Sequence, residues 1–73
     1  MNESTNLSNT MYDILKVMGL DADFLYDTID TYIRDAETAN KKELANTWKK
    51  IKSDRENHIN MLKDELEKEI HGE

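Results

Sequence analysis

The fold of this chain is decided by residues 41–70, whose sequence is KKELANTWKKIKSDRENHINMLKDELEKEI. This stretch contains neither Gly nor Pro, the residues that most often interrupt a helix, so it predicts one long helix. Key positions on one side of that helix alternate in steps of four and three residues, which is the spacing of a heptad seam. The seam consists of Leu44, Trp48, Ile51, Arg55, His58, Leu62 and Leu66. A cation and an imidazole therefore stand one turn apart where the pattern favours Leu.

The residues before this helix predict two further helices. Residues 8–18 form a short apolar-striped segment that Ser8 or Thr10 can cap, and Gly19 is suited to the left-handed position that ends a helix. A second stripe then follows from 22 to 39, with Asp21 placed to cap it.

The boundary between the second and the long helix is predicted at Asn40. Asn40 and Glu43 have the spacing of a capping box, in which each side chain satisfies a free backbone N–H at the start of a helix. A tight turn at this point folds the two helices into an antiparallel hairpin. The predicted fold class is therefore all-α, a short N-terminal helix followed by an antiparallel helical hairpin.

The predicted organisation is a single helical domain over residues 8–70. The segments are a disordered tail over 1–7, helices over about 8–18, 22–39 and 41–70, and a frayed end over 71–73. A chain of 73 residues buries only about 60% of the surface it exposes when unfolded, so its core is marginal. Because there is no cysteine, disulfides cannot compensate. We therefore expect a homodimer that completes a helical bundle through the seam of the long helix.

The charge distribution restricts the partners. At a net charge of −6 the chain is not expected to bind nucleic acid or an anionic membrane surface. No apolar run approaches the roughly 20 residues that a membrane span needs. The sequence therefore predicts a soluble, cytoplasmic protein. Residues 41–55 carry six basic and two acidic side chains, whereas residues 56–73 carry two basic and six acidic ones.

Arg55 and His58 allow two interpretations. The first is a polar layer that sets the register of the bundle, with Arg55 paired to a carboxylate across the interface; Glu65 and Glu69 of an antiparallel second copy are candidates. The second is an altered metal or anion site.

Residues 46–62, NTWKKIKSDRENHINML, resemble the second-helix signature of ferritin-like proteins, Glu-x-x-His followed by apolar residues. The similarity is closest to the encapsulated ferritins, two-helix chains that dimerise into a four-helix di-iron bundle, and it extends over about 24–68. The resemblance implies a carboxylate ligand on the first helix and Glu-x-x-His on the second, from both chains. Here those positions hold Leu25 and Arg55, so His58 alone matches a ligand. The resemblance thus implies a ferritin-like half-bundle without its iron site.

The predicted function is a non-catalytic helical interaction or assembly module with no cofactor. One alternative is an iron-binding ferritin-like protein with an atypical site centred on His58. Another is an acidic regulator that binds a basic, unidentified protein. Asp27 and Asp30 lie off the apolar stripe of the second helix and would be its contact, although a solvated face is the more usual explanation of such aspartates.

Overall fold

A computed structural model describes residues 8–72, so the predicted tail over 1–7 and Glu73 lie outside the described residues. The chain forms α1 (Asn9–Asp23), a π-helical segment (Phe24–Thr28), α2 (Ile29–Thr38) and α3 (Lys42–His71). All elements of residues 8–72 are helical, in agreement with the predicted all-α class. The first three run on without a break and form one arm, residues 9–38, which packs against α3 as the second arm of a hairpin.

The predicted break between two N-terminal helices is wrong. Gly19 lies inside α1, which continues to Asp23, so Gly19 is not a left-handed stop. Asp21 is correspondingly not an N-cap; it lies near the end of α1 and is buried. Ser8 is the N-cap of α1, and its side-chain oxygen accepts a hydrogen bond from the Met11 N–H at 3.1 Å. Continuous packing against α3 outweighs the weak helix propensity of one glycine, about 1 kcal/mol.

The π segment adds one residue to a turn of the first arm and so shifts the helical phase of the residues that follow it. The Ile29 N–H donates to the Phe24 carbonyl, an i→i+5 bond that makes this turn wider than an α-helical turn. The buried or half-buried positions before it follow a three–four repeat: Met11, Ile14, Met18, Asp21 and Leu25. Continuing that repeat would bring Thr28, Tyr32 and Asp35 to the seam. With the extra residue the seam instead continues through Ile29, Ile33 and Ala36.

The seam of α3 is rotated relative to its predicted position. Its buried and half-buried residues include an unbroken three–four series: Ala45, Trp48, Lys52, Arg55, Ile59, Leu62, Leu66 and Glu69. Ala45 is buried at 3% exposure, whereas Leu44 is 41% exposed at the edge of the seam. His58, one residue before half-buried Ile59, is exposed. The structure thus keeps Arg55 on the seam and places His58 beside it.

The turn between the arms is a helix C-terminal motif. Asn40 has φ +60°, its N–H donates to the Glu37 carbonyl, and the Lys41 N–H donates to the Ala36 carbonyl at 2.8 Å. These are the two bonds of a Schellman motif with Asn in the left-handed position. The predicted capping box is therefore wrong, because Asn40 ends α2 and does not cap α3. His71 is the last residue of α3, so the helix extends one residue into the predicted frayed end.

The hairpin is a single layer of two helices. Its principal extents are 51 × 21 × 13 Å, and the smallest is close to one helix diameter. At the open end Thr10 Oγ1 donates a hydrogen bond to Glu69, which holds the first arm against α3. No helix within residues 8–72 is long and apolar enough to cross a membrane.

The two glycines provide a test of the continuous first arm. Gly19 lies in a helix and a Cβ there would meet nothing within 4 Å, so Gly19→Ala should raise the free energy of unfolding by about 0.5–1 kcal/mol. Gly72 is equally open but has φ +75°, so Gly72→Ala is the matched control and should not stabilise. Urea unfolding followed by circular dichroism measures both. A loss of stability in Gly19→Ala would indicate a helix end at that residue.

Candidate functional site

The polar position in the seam is an ion pair within the chain. Arg55 Nη1 donates to Asp21 Oδ1 at 3.0 Å. The Asp21 side chain is only 6% exposed and that of Arg55 is 37% exposed. The carboxylate that pairs with Arg55 thus comes from the first arm of the same chain, whereas the sequence interpretation considered Glu65 and Glu69 of a second copy. The pair leaves Asp21 Oδ2 buried with no hydrogen-bond partner among the described residues.

Arg55 also begins a row of aromatic contacts. Its guanidinium carbon lies 4.5 Å from the centre of the Phe24 ring, a cation–π arrangement. The Phe24 and Tyr32 rings meet edge-on with their centres 6.5 Å apart, and the centres of the Tyr32 and Trp48 rings are 5.2 Å apart. Phe24 and Tyr32 are eight residues apart, and the residue added by the π segment brings them to the same side of the arm. The row therefore joins the two arms along one broad side of the hairpin.

We call this side the aromatic face, and it consists of Phe24, Tyr32, Leu44, Trp48, Ile51 and Arg55. Tyr32 and Leu44 are 42% and 41% exposed, and the other members are half-buried. An open hollow of about 270 Å³ lies at its turn end, and its lining consists of Tyr32, Leu44 and Trp48 with the neighbouring Asp35, Ala36, Ala39 and Lys41. The face is thus mainly aromatic and aliphatic, with charged side chains at Arg55 and at the rim of the hollow, and it is accessible.

The other predicted interface residues flank this face or extend the seam. Leu62 and Leu66 are half-buried along the open-end half of α3, and His58 is exposed one turn beyond Arg55. Within residues 8–72 the His58 side chain makes no hydrogen bond or ion pair. In the single hairpin Arg55 therefore forms its polar layer with Asp21 and Phe24 and not with His58.

The opposite broad side is more polar. A hollow there is lined by Leu25, Tyr26, Ile59 and the polar side chains of Asp30, Lys52, Glu56 and Asn60. Lys52 Nζ donates to Asp30 Oδ1 at 3.0 Å, and this bond, with the charge of Asp30, raises the pKa of Lys52 above its usual value. Asp30, one of the two aspartates predicted to bind a partner, thus forms an ion pair with a lysine of its own chain. Asp27 is exposed.

The residues present do not fit the di-iron site that the ferritin-like resemblance implies. Arg55 places a guanidinium at the position of the second-helix Glu, and Leu25 at the first-helix position has no ligand atom. Among the described residues no group of three or more His, Asp or Glu side chains could hold a metal ion. Comparison of the chain with known protein families, curated proteins and solved structures gives no match.

Two residues of this site were not identified from the sequence. Asp21, which follows the predicted helix end at Gly19, is predicted as a cap, and Phe24 is not among the predicted site residues. Both belong to the site because α1 continues past Gly19 and the π segment shifts the phase of the residues after it. The signal available was Arg55 itself, since a cation on a seam requires a carboxylate.

Arg55→Met should lower the free energy of unfolding by about 2–3 kcal/mol, because it leaves the buried Asp21 carboxylate without its partner. This is less than for a fully buried pair, since Arg55 is partly exposed. The double variant Asp21→Leu/Arg55→Met should recover most of the loss. Lys49→Met, which removes the exposed pair with Glu37, is the control and should cost much less. Urea unfolding measures the free energy of unfolding of each variant. Equal losses in Arg55→Met and Lys49→Met would contradict a special role for Arg55.

Proposed function

We propose that this chain is a non-catalytic helical assembly module in which two copies join through the aromatic face and complete a four-helix bundle. The single observation that carries the proposal is the one-layer hairpin. Stable domains pack at least two layers of secondary structure around one core, and a thickness of 13 Å leaves both broad sides of this layer uncovered.

The amount of buried apolar surface supports this proposal. Within residues 8–72 the buried apolar side chains are Ile29, Ala36 and Ala45, two of which are alanines. Large apolar and aromatic side chains remain 40% exposed or more, among them Tyr32, Leu44 and Val17. A chain of this size without cysteine gains stability most directly by burying such surface against another chain.

The aromatic face is the better of the two broad sides for this contact. Its centre combines Phe24, Tyr32 and Trp48 with Arg55, and aromatic and Arg side chains are enriched in protein interfaces. The aromatic contacts already restrict these side chains, so less conformational freedom is lost on binding. The opposite side places Lys52, Asp30 and Glu56 around its hollow, and burial there would require removing water from charges.

The proposed relation to ferritin-like proteins is that of a half-bundle whose metal position has become a structural ion pair. What supports it is the resemblance of residues 46–62 together with the hairpin arrangement. The proposed absence of catalysis rests on Arg55. Arg55 stands at the position of a metal-binding Glu, where its guanidinium binds Asp21 and lies over the Phe24 ring. Arg55 therefore contributes to the packing of the two arms.

Leu44→Glu should weaken self-association at least tenfold, because the dimer would bury a carboxylate in the hollow beside Trp48. The parent chain should sediment at twice the chain mass at equilibrium, and its melting temperature should rise with concentration.

Tyr26→Glu is the matched control for Leu44→Glu. Tyr26 is 88% exposed and lies by the opposite hollow, so this variant should keep the parent dissociation constant. A parent chain that stays monomeric at high concentration, with its helix content intact, would rule out the proposed function. Equal weakening by both variants would place the contact elsewhere.

A further inference from the structure

The charge of the hairpin is unevenly distributed between its two halves. The turn half, residues 24–56, contains seven basic and seven acidic side chains, for a net charge of zero. The open half, residues 8–23 and 57–72, contains three basic and seven acidic side chains, for a net charge of −4. The two arms are antiparallel and each spans 30 positions, so their midpoints, at 23–24 in the first arm and 56–57 in α3, divide the layer into these two spatial halves.

We infer that the second copy lies antiparallel on the aromatic face, so that the turn half of each copy covers the open half of the other. This inference rests on the proposed function and adds the orientation of the partner. Two hairpins can meet face to face about a two-fold axis with unlike halves together or with like halves together. The second arrangement would bring −4 against −4 at the open ends, whereas the first brings a half of zero net charge against −4 at both ends and so avoids this repulsion.

The size of the face is sufficient for this arrangement. A side of 51 × 21 Å has an area on the order of 1,000 Å², and a typical stable interface buries about 800 Å² per partner. An antiparallel second copy covers the whole side, because the first arm, residues 9–38, and α3 each span 30 positions. The contact is isologous, so each favourable pair forms twice.

The orientation places the polar part of the face at the two-fold axis. Arg55 and His58 lie on either side of the midpoint of α3, so each copy brings them against the same region of the other. The charge of Arg55 at this point is compensated within its own chain by Asp21. His58, exposed in the single hairpin, is covered by the second copy.

Nitroxide labels on single cysteines test the orientation, because the native chain has none. Asn46→Cys and Ser53→Cys are suitable sites, since both residues are exposed and lie seven positions apart at the same place in the heptad. Their sideways offset from the interface is therefore the same, and only their distance along α3 from its midpoint differs. Pulsed electron–electron double resonance measures the distance between the two labels of each dimer.

In the antiparallel dimer the label pair at position 46 should be farther apart than the pair at position 53. With full overlap, the separations along the axis are about 31 and 10 Å at 1.5 Å per residue, so the measured distances should differ by more than roughly 10 Å. Circular dichroism and sedimentation confirm that each labelled variant keeps the parent fold and mass.

Equal distances at the two positions in a dimer would overturn the antiparallel orientation, because like halves would then lie together, and would leave the proposed function standing. The absence of any dipolar coupling, together with a monomer mass, would overturn both. A difference of the expected size would support the orientation independently of the strength of the dimer.

Discussion

A hairpin of two helices has one internal seam, and both arms must keep in phase with it over their whole length. Over 30 residues a one-residue error turns the apolar stripe of an arm by about 100° away from the other arm. The π segment is the device that preserves the phase here. It adds one residue at Phe24–Thr28, so that Ile29, Ile33 and Ala36 reach the seam where Thr28, Tyr32 and Asp35 would otherwise lie.

The same insertion creates the aromatic face. Tyr32, displaced from the seam, lies on the broad side of the layer between Phe24 and Trp48. Arg55 then covers the Phe24 ring and binds Asp21, which lies at a seam position of the first arm. A local widening of one helical turn thus determines both the core and the surface that we propose as the contact between two copies.

Much of the architecture follows from patterns in the sequence. The absence of Gly and Pro in residues 41–70 predicts the long helix that is observed as α3, and the turn at Asn40 is where it was expected. The prediction of a helix end at Gly19 is wrong, because a local stop signal worth about 1 kcal/mol competes with the packing of an entire arm. The observed seam of α3 differs from the predicted one at Leu44 and His58, each of which lies one residue before the observed seam position. The reason is that heptad patterns with adjacent apolar residues allow two neighbouring registers.

By itself, the sequence determined the all-helical class, the position of the turn between the arms, the polar interruption at Arg55 and the separation of charge along the chain. These features depend on residue type and spacing within one segment. Only the tertiary structure decided that the first arm is continuous, that Asp21 is the partner of Arg55, and that Phe24, Tyr32 and Trp48 share a face. Those outcomes depend on which residues of two distant segments lie opposite each other, and a single inserted residue in the π segment changes that correspondence for every position beyond it.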